Sequence, residues 1–182
     1  MPTPRLPSRH LAADRFLCLH ANGWCARSGV LGVFATVSRA GDGVAWYLLM
    51  AAMVLVDGID GLRASTHMAA TGAVALLLYK MLKRWTRRPR PYAADVRIRA
   101  WIAPLDEFSF PSGHTLHAVS FTIVALAWYP QLAWVLLPFT AMIALSRVVL
   151  GLHWPSDVLA AIVIGAVLGG GALWLGSPLL QG

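Results

Sequence analysis

The sequence predicts an all-α fold, a polytopic membrane helix bundle with about five transmembrane helices and N-terminal interfacial helices. Composition is the first observation behind this. Hydrophobic residues make up 58% of the 182 positions and charged residues only 13%, with a mean hydropathy of +0.63. A soluble domain carries about a quarter charged residues, because its surface must stay solvated. The second observation is a series of uncharged stretches near the ~20 residues needed to span a bilayer core as a helix. The third is the charge distribution. Of a net charge of +7, most lies between Lys83 and Arg99, where seven basic residues accompany a single acid, Asp95. Disordered, collagenous and ordinary soluble modules are thereby excluded.

Taken in order, residues 1–43 hold Arg5, Arg9, Arg15, Arg27 and Arg39 among apolar residues. The longest uncharged piece there, Ser28 to Ser38, is too short to cross. Residues 11–38 are expected to form one or two helices lying on the interface. No apolar core follows the early arginines as a signal peptide would require. The chain therefore divides into an N-terminal interfacial segment, 1–43, and a membrane-embedded domain, 44–182. Cys18 and Cys25 are free to pair or not and sit in no metal-like cluster.

Val44 to Val56 is uncharged, with Trp46 and Tyr47 as interfacial anchors. Arg63 to Leu82 is interrupted only by His67 and by Lys80, which can snorkel. Thr115 to Leu145 is too long for one simple span, and Tyr129-Pro130 divides it, since proline blocks helix continuation. Val158 to Gly182 is the last uncharged run. Spans at about 44–60, 63–82, 115–129, 131–148 and 157–176 bring the loop 83–114 and the turn 147–157 to one membrane face.

That face collects three motifs. In Lys83-x6-Arg90-Pro91, an ammonium and a planar guanidinium leave a helix seven residues apart and suit a multivalent anion. A solvated or headgroup-facing basic loop fits these two residues equally well. In Pro111-Ser112-Gly113-His114, Ser112 can cap a helix whose positive end favours an anion, and Gly113 admits a ligand close to the backbone. A plain helix-start turn beside an interfacial histidine also explains it. In Ser146-Arg147-x5-His153-x3-Asp157, His153 and Asp157 are four apart and would share a face on a helical turn. A carboxylate on one ring nitrogen makes the other a better nucleophile. Arg147 alone is equally consistent with snorkelling.

At every defining position these motifs resemble the tripartite signature of the type 2 phosphatidic acid phosphatase superfamily. The resemblance covers residues 83 to 157; residues 1–43 lie outside it, and a sixth span found in many relatives has no counterpart. It implies a metal-independent phosphatase of lipid phosphates or diphosphates that works through a phosphohistidine, without a cofactor. His153 would be the nucleophile, oriented by Asp157, and His114 the proton donor to the leaving group. Lys83, Arg90, Ser112, Gly113 and Arg147 would bind the phosphate oxygens. No Asp/Glu cluster for Mg²⁺ is evident in the sequence.

The substrate class implied is undecaprenyl diphosphate or a glycerolipid phosphate, such as phosphatidic acid or phosphatidylglycerol phosphate. The partners are then lipid substrate and bilayer, with no nucleic acid and an oligomeric state that the sequence leaves open. A lipid phosphotransferase with the same pocket and a non-catalytic anionic-lipid-binding protein are the alternatives. A vanadium haloperoxidase shares the anion pocket, but the membrane spans and small size argue against it. Sidedness gives two answers. The positive-inside rule puts the basic loop and N-terminus in the cytoplasm, whereas bacterial relatives commonly work on the periplasmic leaflet of the inner membrane, the side the resemblance favours. Arg84, Arg87 and Arg88 are expected to meet headgroups, Asp106 and Glu107 to balance the basic loop, and His67 to bond within the bundle. His117 is a second partner for the site or a helix-face residue, and Gly169-Gly170-Gly171 permits close helix packing.

Overall fold

The computed structural model describes residues 9–176; residues 1–8 of the N-terminal segment and 177–182 of the last apolar run lie outside it. Every regular element among the described residues is helical. Helices α1 (Arg9–Asn22) and α2 (Ser28–Ala40) are joined by a 3₁₀ turn. They are followed by α3 (Val44–Thr86), the single turn α4 (Pro91–Ala94), α5 (Gly113–Trp128), α6 (Ala133–Val149) and α7 (Pro155–Leu175). Three stretches, Val44–Ala94, Pro130–Val149 and Pro155–Leu175, are long and apolar enough to cross a membrane. The chain is a membrane protein built of packed helices.

Gly58 decides the shape of α3. Its φ of 56° and ψ of −116° leave the helical region, in a conformation that side chains beyond glycine adopt at a cost. Ser65 Oγ donates to the Met50 carbonyl at 2.9 Å. Along a straight helix these residues would stand roughly 22 Å apart, so the chain has doubled back at Gly58 into two arms. Trp46 and Met53 of the first arm share a buried cluster with Ala64 and Met68 of the second. The second arm runs to Thr86 and delivers Lys83 at its far end.

The outer face is apolar, unlike that of a soluble bundle, and buried hydroxyls sit among the apolar clusters inside. Leu55, Val56, Trp134 and Val167 are exposed, while Ser65, Thr71, Ser120 and Thr122 are buried. Buried hydroxyls find partners between helices, as Thr122 and Thr140 do at 2.6 Å. His67 is likewise bonded within the bundle, with Nε2 3.0 Å from the Ala172 carbonyl and Nδ1 facing the Trp128 indole N–H at 3.3 Å.

Helix α5 is central and packs on α3, α6 and α7. Its approach to α7 depends on Gly165 and Gly169: a Cβ on Gly165 would stand 2.8 Å from the Leu116 carbonyl, and one on Gly169 3.0 Å from Ile123. Of the glycine run expected to pack, Gly169 does so, whereas Gly170 and Gly171 face open space. Gly165→Ala is expected to overpack this contact by about 1–3 kcal/mol. Because the obstacle is backbone, the melting temperature in detergent should fall by several degrees, and an unchanged value would refute the contact.

The two N-terminal helices belong to the same packed body. Cys18, Cys25 and Phe34 are buried against Val148, Val149, Leu152 and Trp154. The Asn22 amide donates to the carbonyls of Arg99 and Val149 at 2.9 and 3.0 Å and accepts from the Arg99 N–H at 3.0 Å. Both cysteines are free thiols, and burial, reinforced by Asp14, pushes Cys18 up to about 12.

Candidate active site

The three motifs converge on one cavity of about 740 Å³, lined by Lys83, Arg90, Gly113, His114, Arg147 and His153 together with Asp42 and Asp106. Each enters from a helix end. Lys83 ends the second arm of α3, Arg90 precedes Pro91 at the start of α4, and Ser112 caps α5. The Ser112 hydroxyl lies 2.9 Å from Thr115 Oγ1 and 3.5 Å from the Thr115 N–H, so it turns inward to the helix and does not line the cavity. Arg147 is in the last turn of α6, and His153 falls in the bend before α7.

His153 is almost fully buried. Its Nδ1 lies 2.6 Å from the Ser109 carbonyl, which can only accept, so Nδ1 carries the proton. Nε2 is then the unprotonated nitrogen, and it faces Arg90 Nη1 at 3.4 Å. Burial, then Arg147, Arg90 and Lys83, hold this imidazole well below its ordinary pKa, and hence neutral. A neutral ring with one fixed tautomer and a free nitrogen beside cations has the chemistry a nucleophile toward an anionic electrophile requires.

The expected His153–Asp157 pairing takes a different form. Pro155 starts α7, so His153 precedes the helix and the two side chains do not share a helical face. The Asp157 carboxylate stands 3.8 Å from His153 Nδ1, behind the Ser109 carbonyl contact. It accepts from the Trp154 N–H at 2.9 Å, tying the start of α7 back to its N-cap residue, and from Arg88 Nη1. Arg88, expected among headgroups, instead ties Asp157 to Asp14 of α1. Asp157 thus fixes the loop that carries His153 more directly than the ring itself.

The cations are differently engaged. Lys83 Nζ donates to both Asp106 carboxylate oxygens at 2.7 and 2.8 Å and to the Phe108 carbonyl at 2.9 Å. Arg90 donates to the same Asp106 carboxylate at 2.7 Å and to the Leu152 carbonyl at 2.8 Å. Against the upward push of burial, Lys83 and Arg90 hold Asp106 below the usual carboxylate range. Asp106 therefore presents two anionic oxygens where the sequence reading places phosphate. Arg147, 2% exposed, donates from Nη1 to Ser38 Oγ, and its Nε is buried without a partner. No carboxylate among the described residues reaches it at ion-pair distance.

Two further contributors from outside the motifs precede α3: Ser38, in the last turn of α2, on Arg147, and Asp42, in the turn that follows, whose Oδ1 is 2.6 Å from His114 Nε2. The motif positions gave no sign of either, because only tertiary packing brings α2 to α6. A carboxylate between two glycines just ahead of the first apolar span was the available cue. His117 lies between the carbonyls of Gly113 and Gly72, at 3.0 and 3.2 Å, and lines the cavity. Among the described residues no group of three or more His, Cys, Asp or Glu side chains is placed to hold a metal ion. The positive charge around the cavity comes from Lys83, Arg90 and Arg147, with Lys80 and Arg84, the latter expected among headgroups, also on its wall.

Fold and site define a membrane-embedded helical protein with a buried histidine among converging cations, the make-up of a phosphate-handling pocket. The chain belongs to the PAP2 superfamily, whose family model matches residues 64–178. It is 28% identical over 126 residues to undecaprenyl-diphosphatase BcrC of Bacillus subtilis, covering 69% of this chain and 65% of that protein. It is 32% identical over 148 residues to decaprenylphosphoryl-5-phosphoribose phosphatase of Mycobacterium tuberculosis, covering 79% and 78%. The fold matches a transmembrane PAP2-type phosphatidylglycerolphosphate phosphatase from Bacillus subtilis, with a TM-score of 0.74, 23% identity and coverage of 92% and 86%. It also matches LpxE of Aquifex aeolicus, with a TM-score of 0.75, 22% identity and coverage of 90% and 94%.

Proposed function

We propose that this protein hydrolyses lipid phosphates or diphosphates without a metal, through a phosphohistidine on His153. The observation that carries this reading is Arg147, a buried guanidinium with an unpartnered Nε, in the same cavity as the neutral His153. A phosphoryl oxygen supplies the acceptor and the counter-charge that Arg147 lacks. In the first step His153 Nε2 bonds to phosphorus as the bond to the leaving oxygen breaks, and His114 gives that oxygen a proton. Water then attacks phosphorus, the P–N bond breaks, and His114 takes the proton from water. Lys83, Arg90, Arg147 and the Gly113 backbone hold the transferring oxygens, which is the main work of such sites.

The cavity also suits an amphiphile. Trp46, Met50, Ala69 and Leu76 line it along with the charged residues. Ala69 lies fourteen positions before Lys83 on the same arm, roughly 21 Å away. A lipid chain can lie along the arm with its phosphate at Lys83. Two relatives with broad coverage are named for polyprenyl-linked substrates, which favours a polyprenyl diphosphate over phosphatidic acid or phosphatidylglycerol phosphate.

The two arms of α3 with α5, α6 and α7 make five crossings, with α1 and α2 as an interfacial cap on residues 44–182. The active face lies on the periplasmic side. Lys83, Arg88 and Arg90 fold inward onto Asp106, Asp14 and Asp157, so they are poor markers for positive-inside counting. Phosphate release from undecaprenyl diphosphate by the detergent-solubilised chain is expected to persist in EDTA and to stop with orthovanadate, a five-coordinate phosphate mimic. Loss of activity in EDTA, or indifference to millimolar vanadate, would overturn the mechanism. Transfer of phosphate to an added lipid alcohol in preference to water would make it a phosphotransferase.

A further inference from the structure

We infer that Asp42 is a positioning residue that holds the His114 ring and balances the charge of its protonated form during proton delivery to the leaving group. This rests on the phosphatase reading above and names a part of the site that lies outside its three motifs.

The geometry begins with the turn between α2 and α3. Gly41 packs so tightly on Ile143 that a Cβ would stand 2.7 Å from its Cδ1, and Gly43 has a φ of 132°. A side chain at either position would displace or strain the turn. Between them Asp42, one-third exposed at 34%, brings Oδ1 to 2.6 Å from His114 Nε2. His114, followed by Arg147, holds its carboxyl below the usual range despite opposing burial, so Asp42 stays ionised in the neutral range.

Charge explains why such a partner is needed. His114 sits at the positive end of α5, with Arg147 across the cavity on α6 and His117 one turn along its own helix. All of these oppose a second positive charge on the ring. Asp106 is committed to Lys83 and Arg90. Among the described residues Asp42 is the carboxylate within ion-pair reach of His114. As the P–O bond breaks, the proton passes from His114 to the leaving oxygen, and it returns to His114 from the attacking water. Asp42 remains a carboxylate throughout and fixes where the ring stands, as an outer carboxylate does for other catalytic histidines.

The test is a double-mutant cycle on the full chain in detergent, with undecaprenyl diphosphate as substrate. Asp42→Asn is isosteric and lies on a partly exposed turn, and a retained rise in melting temperature with orthovanadate shows that the phosphate site is intact. We expect kcat to fall roughly 10- to 100-fold, KM to stay within about threefold, and Asp42→Glu to recover part of the loss. In a His114→Ala background the same substitution should cost less than about twofold, because a residue acting through His114 has nothing left to act on. A kcat within twofold of wild type for Asp42→Asn, or the same fold-loss with and without His114, overturns the proposal. A wild-type chain that releases no phosphate, or a His153→Ala variant that still releases it, fails the parent reading and the proposal with it.

Discussion

His153→Ala in the full chain is expected to release no measurable phosphate from a lipid diphosphate, a loss on the order of 10⁴ or more, as when the nucleophile of a coupled catalytic set is removed. The fold should survive. His153 lies in the bend between α6 and α7, outside either helix, and its removal deletes its contacts to the Ser109 carbonyl and Arg90 without touching a helix backbone. A retained vanadate-dependent rise in melting temperature would show that Lys83, Arg90 and Arg147 still bind an anion. The pH profile belongs to the same prediction. An imidazole whose pKa is pushed well below its ordinary ~6.5 by burial and cations takes up a proton only in more acid solution. Lowering the pH from 7 to 6 therefore leaves Nε2 free to attack, and any acid limb there comes from another group. Substantial turnover by His153→Ala would reassign the nucleophile.

Arg147→Met should separate stability from activity. Arg147 is buried, with an orphan Nε and one hydroxyl partner in Ser38. A buried donor without an acceptor costs about 1–3 kcal/mol, and an apolar side chain of similar length removes that cost. Without anion, the melting temperature should rise by roughly 3–8 °C, using the usual conversion for chains of this size. Turnover should fall about 10²- to 10³-fold, the range for losing one preorganised donor to transition-state charge, and stabilisation by vanadate should shrink. Arg147→Lys keeps the charge and loses the fork, and it should recover little activity. A lower melting temperature for Arg147→Met would mean that the guanidinium holds the fold together and is not reserved for ligand.

Much of this was legible in the sequence because membrane spans and helix breakers are local signals. Tyr129-Pro130 divides the long apolar run and the chain breaks there, and the gap between the spans at 44–60 and 63–82 lies beside the reversal at Gly58. The motif residues could be gathered on one face by counting crossings alone. Local reasoning misled at His153 and Asp157, where spacing by four assumed a helix that Pro155 begins too late to include. It also misjudged Arg88, because a basic residue in a loop looks solvated until α1 supplies Asp14. Asp106 balances Lys83 and Arg90, as expected of its place beside the basic loop, whereas Ser38 and Asp42 were out of reach. Each meets its partner through packing of segments far apart in the chain, for which spacing carries no signal.

The junction of α2 with α3 also bears on how modular this protein is. The family model begins at residue 64, yet Ser38 and Asp42 reach Arg147 and His114 from before that boundary. A chimera that grafts residues 64–178 onto a relative's leading helices would carry every motif residue and still inherit a foreign wall. Its histidine and arginine would answer to whatever side chains the new leader presents. Exchange between relatives therefore has its natural seam ahead of α1, and leader and motifs are expected to vary together from one relative to the next.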